Sequence, residues 1–588
     1  MPPSIPAYAM QLAASWGFGE TPPPAAVAAD PVAAPPLAAI VLGLLTCLAW
    51  WARSKLLSMD EAGRTPPFEG IPLAPRGHWL FGHLFAMGGN GDFRRGQANV
   101  LVNPADPDTG LSSFWFVGVP AVSVLRGADV RSALSASSFR RPIALLQRHT
   151  DMFLGSHALT GLMGREWRHY RSAVHRSFTP SALAESQEAI NEVGNTLAAS
   201  LRRASAEAGG GRGLVSKVLP LMKMATIDVF GRASLGVDLG CCSALRPSPV
   251  AEAFDFLTDE YSRRIGRPLD PTATFYCLPT AANRRHARER RLIRGFISDL
   301  LAGGRRDLAE GREGRKSEFL TRLLKAAGEK GDGGKGGAMS DGILSDILMV
   351  LLFGGYDTTS ITLTYALHLL ASHPKVQAMV SAEIAEVLGG PRSGIGGEDE
   401  PGPVLLDDPA GLPLTRAVIL ETLRLYPPAP VTTRNLEKPL ELHGTVLPPG
   451  TMIFIGVWSI QRDARNYPMP EDFRPDRWVR RGEKGTKWVE RAEGDDGGGI
   501  ECGAKTVPPA SRDAFCAFSG GARNCVGRAL AMQEAVTLLA CLLRDLRFEA
   551  VPDYVLRPQS SSFVQNPHDG LPMEIKPREA PAVGRHDH

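Results

Sequence analysis

Residues Ala514–Ala535 read "AFCAFSGGARNCVGRALAMQEA" and hold two cysteines, Cys516 and Cys525. Cys525 ends a glycine-rich turn, Phe518–Gly527, and stands at the base of an apolar helical pattern that starts near Val526. Gly520, Gly521 and Gly527 are free to adopt positive φ and let the main chain approach a flat surface closely. Backbone N–H groups at a helix start lower a thiol's pKa and hold the thiolate by hydrogen bonding. Arg523 supplies a nearby cation and Phe518 an aromatic ring. Cys516, two residues before Phe518, reads as a small apolar core residue.

A thiolate in such a turn suits axial ligation of haem iron, where it pushes electron density onto the metal. The turn resembles the F-x-x-G-x-R-x-C-x-G signature of the cytochrome P450 family at Phe518, Gly521, Arg523, Cys525 and Gly527. The resemblance implies that Cys525 binds the iron of haem b. His169 and His175 lie in no comparable loop and are not expected to be ligands.

Three further motifs fall in that family's order. In "LETLRLYPP", Glu421 and Arg424 are three apart on one helix face and can pair. The resemblance adds Arg477, from "FRPDRW", as third member of a network that holds the haem-loop side of the fold. Arginine's fixed fork suits such a bidentate node. In "FGGYDTTS", Gly354 and Gly355 interrupt a long apolar helix pattern at a cost of up to about 1 kcal/mol each against alanine. Read alone, Asp357 and Thr358 fit a kink or an N-cap. The resemblance makes them the oxygen-activation pair, a hydroxyl and a carboxylate that serve proton delivery, with Gly354 where alanine is commoner. In "GREWRHYRSAVHRSF", Trp167 and Arg171 are i, i+4 and resemble the family's W-x-x-x-R. Arg171, Arg434 and Arg523, with Trp167 alongside, are the expected propionate contacts, because buried carboxylates need cationic partners. Arg168 and Arg176 are expected at the surface.

The chain has 588 residues, is 44% hydrophobic and carries a net charge of +3, too balanced for a nucleic-acid partner. Its eight cysteines form no C-x-x-C pair, which argues against a disulfide framework or zinc cluster. No Lys or Arg precedes Arg53. From Leu37, "LAAIVLGLLTCLAWWARSK" begins with about 16 uncharged residues, roughly 24 Å of helix, and the upstream "VAAPP" extends it to a plausible span. Trp50 and Trp51 suit an interfacial belt, and Arg53 and Lys55 place the rest of the chain in the cytosol. The expected organisation is a tail over 1–31, a transmembrane anchor over 32–52, a Pro-rich link over 53–75, a haem-thiolate catalytic domain over 76–578 and a tail over 579–588.

The body is expected to be mainly α with a minor β part, the cytochrome P450 fold. "PKVQAMVSAEIAEVL" and "LTRAVILETLRLY" have amphipathic helical spacing; "SSFWFVG", "AVSVLR", "TMIFIGVWSI" and "PMEIKP" look like strands. Three stretches rich in Gly and charge, at 329–342, 389–403 and 482–505, read as surface loops.

The resemblance implies a monooxygenase that inserts one oxygen atom from O2 into a lipophilic substrate, by hydroxylation or epoxidation. Electrons would come from an NADPH-dependent reductase docking on the basic proximal face. The expected site is a single-pass protein of the endoplasmic reticulum, in contact with membrane lipid. Substrate choice should lie in 140–161, 252–266, the helix face up to Tyr356, Val431–Thr433 and 560–567. A second reading is a reductase-independent fatty-acid hydroperoxide isomerase or dehydratase of the same superfamily, an epoxyalcohol or allene oxide synthase of oxylipin formation. A third is a haem sensor or electron carrier; the Asp357–Thr358 pair would then be idle.

Overall fold

Ser340 starts the helix on which the rest of the body packs: its hydroxyl accepts a hydrogen bond from the Ile343 N–H, and Asp341 adds a negative charge to the first turn. The helix runs unbroken from Asp341 to Ser372, and most of its 32 residues are buried. It is the one described helix long and apolar enough to cross a membrane, but its apolar surface is spent on the protein core. The computed structural model describes residues 66–74, 98–116, 118–138, 144–208, 213–265, 275–312, 317–328, 339–390, 405–482, 487–491, 513–560 and 564–578. The expected anchor over 32–52 and both tails lie outside the described residues.

In chain order the helices are α1 (Gly127–Ala136), α2 (Ala144–Phe153), α3 (Gly164–His175), α4 (Pro180–Glu207), α5 (Val218–Val229), α6 (Cys241–Ala244), α7 (Pro249–Ile265), α8 (Ala281–Ala309), α9 (Glu318–Gly328), α10 (Asp341–Ser372), α11 (Pro374–Leu388), α12 (Pro413–Leu425), α13 (Val457–Ile460) and α14 (Arg528–Asp545). Local chemistry sets several starts. Thr179 caps α4 with Pro180 at its first position; Thr280 caps α8; Pro374 and Pro413 open α11 and α12. Helix α10 packs against α5, α12 and α14, and α14 against α4.

The β part is small. Strands β1 (Leu111–Phe116), β2 (Val119–Val124), β3 (Ser137–Ser138), β5 (Thr432–Leu436) and β6 (Met452–Ile455) form one sheet in the order β1-β2-β6-β5-β3. Within it β2 and β6 run parallel, with Ala121 opposite Met452, and the other pairs are antiparallel. Strands β4 (Leu214–Lys217), β7 (Leu546–Ala550) and β8 (Pro572–Pro577) form a second sheet, with β8 in the middle. The mainly α expectation with a minor β part therefore holds.

Two local expectations need correction. "TMIFIGVWSI" is a strand only to Ile455, after which Val457–Ile460 turns into a short helix. The third loop stretch contains a strand, Trp488–Glu490, paired with Val479–Arg481. There Trp488 is buried and Arg481 stacks over its ring at 3.8 Å, so one aromatic residue outweighs the polar composition around it.

Glu421, Arg424 and Arg477 meet where all three side chains are shut off from solvent. Arg424 grips the Glu421 carboxylate with two hydrogen bonds, Nη2 to Oε1 at 2.7 Å and Nε to Oε2 at 2.9 Å. Arg477 Nε donates to Oε1 at 3.3 Å, the Arg474 backbone N–H to Oε1 at 3.0 Å, and Trp478 Nε1 to Oε2 at 2.9 Å. Replacing Glu421 by alanine leaves two arginines buried without their anion, a loss of about 3–5 kcal/mol. Urea unfolding of Glu421→Ala against the parent protein measures this; a loss under about 1 kcal/mol is what an exposed pair would give.

Candidate active site

The turn that carries Cys525 is fixed from both sides. Its N–H donates to the Phe518 carbonyl at 2.9 Å, closing the loop on itself. Of the three glycines, Gly521 alone has positive φ, +65°. A side chain there would collide with the Leu134 carbonyl, which a Cβ would approach to 2.3 Å, so only glycine lets the loop lie against α1. The second left-handed residue is Ser519, φ 58°, rather than Gly520 or Gly527. Its hydroxyl is held by Arg434 Nη2 at 2.6 Å. Helix α14 begins at Arg528, two residues later than its sequence pattern indicates.

Burial pushes the Cys525 thiol up, while the Gly527 N–H and the charges of Arg171 and Arg528 act in the opposite direction. The residue keeps accessible surface although protein surrounds it closely, so it faces a recess rather than open water. Cys516 differs: it is buried, and desolvation alone pushes its thiol up to about 12. Its N–H donates to Gln461 Oε1 at 3.0 Å.

The three expected propionate contacts cluster. Arg434 sits on β5 opposite Ile453 of β6, donates Nη1 to Thr432 Oγ1 and to the Thr433 carbonyl at 2.9 Å each, and leaves its buried Nε without a hydrogen-bond partner. Arg523 donates to the Leu159 and Leu162 carbonyls and stacks over Trp167 at 3.7 Å. Arg171 Nη2 donates to the Asn524 carbonyl at 2.9 Å and its Oδ1 at 2.8 Å, which places it beside Cys525. Burial lowers the pKa of all three, of Arg434 and Arg523 to about 10, and for Arg523 the other two guanidiniums add to the effect. Among the described residues no carboxylate forms an ion pair with any of the three. Desolvated guanidiniums without carboxylates fit a ligand that brings its own, as the haem propionates do. Arg168 and Arg176 are exposed, as expected.

On α10 the glycine patch is not a helix cap; the helix continues through it. A Cβ on Gly354 would meet no atom within 4 Å, which leaves room beside the helix for a flat group, and one on Gly355 would come within 3.3 Å of Phe230. Thr358 donates its hydroxyl to the Gly354 carbonyl at 2.6 Å. Asp357 points elsewhere, toward Lys223 of α5, whose Nζ is 3.1 Å from Oδ1. The two residues therefore do not touch through their side chains. Adjacent helical positions lie about 100° apart around the axis.

Several participants were not legible in the motifs. Gln461 donates to the Leu423 and Arg424 carbonyls while accepting from Cys516, and so ties the Glu421 network to the cysteine loop. Glu534 of α14 is buried beside Thr359 of α10, and desolvation holds its carboxyl well above the usual range. Its place one helix turn beyond Arg528–Leu530, in an otherwise apolar face, was the available signal. Lys223 gave none, because a lysine within "VLPLMKMATIDV" looks like a solvent-facing interruption.

Comparison with known proteins identifies the family. The cytochrome P450 family model matches residues 72–571. Cyclooctatin synthase of Streptomyces melanosporofaciens is 32% identical over 342 residues, 58% of this chain and 63% of that protein. Cytochrome P450 monooxygenase acrF of Aspergillus aculeatus is 32% identical over 61% of this chain and 73% of its own. Cytochrome P450 4V2 of Mus musculus is 25% identical over 88% of this chain and 92% of its own length. With a family match that extends from the Pro-rich link to the start of β8, the chain belongs to the cytochrome P450 family.

Proposed function

We propose that this cytochrome P450 is a haem-thiolate monooxygenase acting on a lipophilic substrate with electrons from a reductase, and that Cys525 is the residue whose thiolate would hold the haem iron. The observation that carries the reading is the Cys525 turn: a thiol held by its own loop and α1, with the Gly527 N–H and two arginines near the sulfur. Thiolate-bound haem supplies the reduction of dioxygen and the insertion of one oxygen atom. The protein's part is to hold, orient and proton-couple that group. Phe518, Gly527 and the Gly521 bend shape the turn, and Arg171, Arg434 and Arg523 would neutralise the haem propionates, with Trp167 stacked against Arg523. Glu421, Arg424 and Arg477 brace the loop through Gln461. Thr358 offers a hydroxyl at the glycine patch, and Asp357 is the acid that takes up protons behind it. Relatives named monooxygenase and oxygenase support this reading over the hydroperoxide alternative.

Two measurements test it. The reduced protein with carbon monoxide is expected to show the red-shifted Soret band of thiolate ligation. Cys525→Ser abolishes that band, whereas Cys516→Ser retains it; loss in the Cys516 variant alone would reverse the assignment. Across a panel of lipids, turnover is expected to need NADPH, a reductase and O2. Rapid conversion of fatty-acid hydroperoxides with no reductant would replace the monooxygenase reading.

We also infer that residues 32–52 anchor the catalytic domain of 76–578 to membrane lipid at the cytosolic face of the endoplasmic reticulum, with 53–75 as the link. Support comes from the uncharged run from Leu37 and the tryptophans and basic residues that follow it. Deleting residues 1–52 is expected to move the protein from the membrane pellet to the supernatant after fractionation. Retention in the pellet would assign the membrane contact to another surface.

A further inference from the structure

Arg290 of α8 carries a charge that no carboxylate pairs with among the described residues. Its side chain is half-buried, and its Nε is shut off from water without a hydrogen-bond partner. It lines a cavity of about 850 Å³ between α2, α8 and the first turns of α10, the size of a small-molecule site. Arg148 of α2 and Arg294 of α8 line the same cavity, and Asp151 and Asp346 are its acids.

The two acids are not equally available. Asp346 is already engaged: Arg294 Nη1 donates to its Oδ1 at 2.5 Å and the His157 backbone N–H to its Oδ2 at 3.0 Å. Gly155, at φ +101°, leaves the space that this carboxylate occupies; a Cβ there would come within 2.0 Å of Oδ1. Asp341, next to the lining residues Ser340 and Gly342, is paired with Arg305. Asp151 accepts from Gln147 Nε2 at 2.6 Å and has no ion pair among the described residues. Arg148, Arg290 and Asp151 are thus left without ion pairs at the cavity, an excess of one positive charge. The N-terminal end of α10 adds partial positive charge on the same side. Burial lowers the pKa of Arg290, Arg294 lowers it further, and Asp346 opposes both.

We propose that this cavity binds an organic monocarboxylate, whose carboxylate pairs with Arg290 and whose body fills the remaining space. One negative charge balances the excess, and the planar guanidinium matches a carboxylate in shape as well as sign. A dianion would set a second, uncompensated negative charge beside Asp151. Binding is non-covalent and does not depend on the reaction proposed above.

The cavity is set apart from the glycine patch. Along α10, Asp346 precedes Gly354 by about 12 Å of helix. Phe353, the residue before Gly354, packs edge-on against Phe153 of α2 at 5.5 Å. Phe153 in turn packs against Tyr261 of α7 at 4.9 Å and Phe254 at 5.9 Å. Met152, the neighbour of Phe153, lines the cavity, so this aromatic cluster adjoins the cavity at one end and the glycine patch at the other. The carboxylate can belong to a separate effector acid or to the far end of a lipophilic substrate; what Arg290 recognises is the same in both.

Calorimetric titration of the full-length, haem-loaded protein with octanoate and with octanol tests this, at one low salt concentration because salt screens charge pairs. Octanoate is expected to bind more tightly than octanol. Arg290→Gln is expected to lower octanoate affinity by about tenfold or more, the worth of a hydrogen bond to a charged group, and to leave octanol unchanged. Asp151→Asn, which keeps an acceptor for Gln147 and removes a negative charge, is expected to tighten octanoate binding. Equal affinities for octanoate and octanol in the parent protein overturn the proposal. So does an octanoate affinity unchanged in Arg290→Gln or, where that variant does not fold, unchanged in Asp151→Asn. The Soret band recorded in the same titration separates the two sources. A shift that follows octanoate occupancy and is lost in Arg290→Gln makes the acid the far end of a substrate. Arg290-dependent binding with an unmoved Soret band makes it an effector, and the site stands in both cases.

Discussion

Glu421 accepts five hydrogen bonds in a place that water does not reach, and the position of the cysteine loop depends on it. A buried carboxylate survives only where its oxygens are filled, and here segments more than 50 residues apart fill them. Arg424 extends the network outward, donating Nη1 to the Gln461 and Pro470 carbonyls and Nη2 to that of Asp472. Arg477 does the same toward the Pro468 and Met469 carbonyls. The 461–478 segment has little regular secondary structure, so these side chains supply partners that a helix or sheet would otherwise give. From Gln461 one further bond reaches Cys516, nine residues before Cys525. The carboxylate therefore acts on the thiol only through backbone it holds in place.

Electrostatics separate this structural cluster from the site. Around Glu421, cations and anion are matched. Around Cys525, Arg171, Arg434 and Arg523 gather without an ion-paired carboxylate among the described residues, and burial weakens their hold on their protons, against a smaller opposing effect of Glu437 on Arg523. Such an excess of buried positive charge would destabilise the fold unless an anion shares the site. An anionic group bound beside Cys525 would meet that need, in keeping with the charge of this cluster.

Chemistry that is confined to a short stretch was legible in the sequence. The closed Phe518–Gly527 turn and the Glu421–Arg424 pair were legible because neighbours in sequence share one turn or one helix face. The helices over 374–388 and 413–425 were legible because their apolar residues recur with the helical period, and that over 341–372 because its apolar run is long. What was hidden depends on contacts between distant segments. Lys223 looks like a surface residue until α7 and α10 close over it, and Gln461 has no motif at all. Ser519 takes the left-handed conformation beside two glycines because Arg434 captures its hydroxyl, a tertiary effect that local preference cannot contain.

The arrangement on α10 assigns separate work to adjacent residues. Thr358 turns its hydroxyl back to the Gly354 carbonyl, on the side where glycine leaves space. Asp357 turns about 100° away, into the packing against α5 and α7. Behind the helix and paired with Lys223, its carboxylate stays one residue from Thr358 without touching the hydroxyl. Gly354 permits the first orientation, and Lys223 stabilises the second. The motif "FGGYDTTS" thus marks a helix with two different faces, a hydroxyl beside the glycine patch and a carboxylate paired with Lys223 behind it.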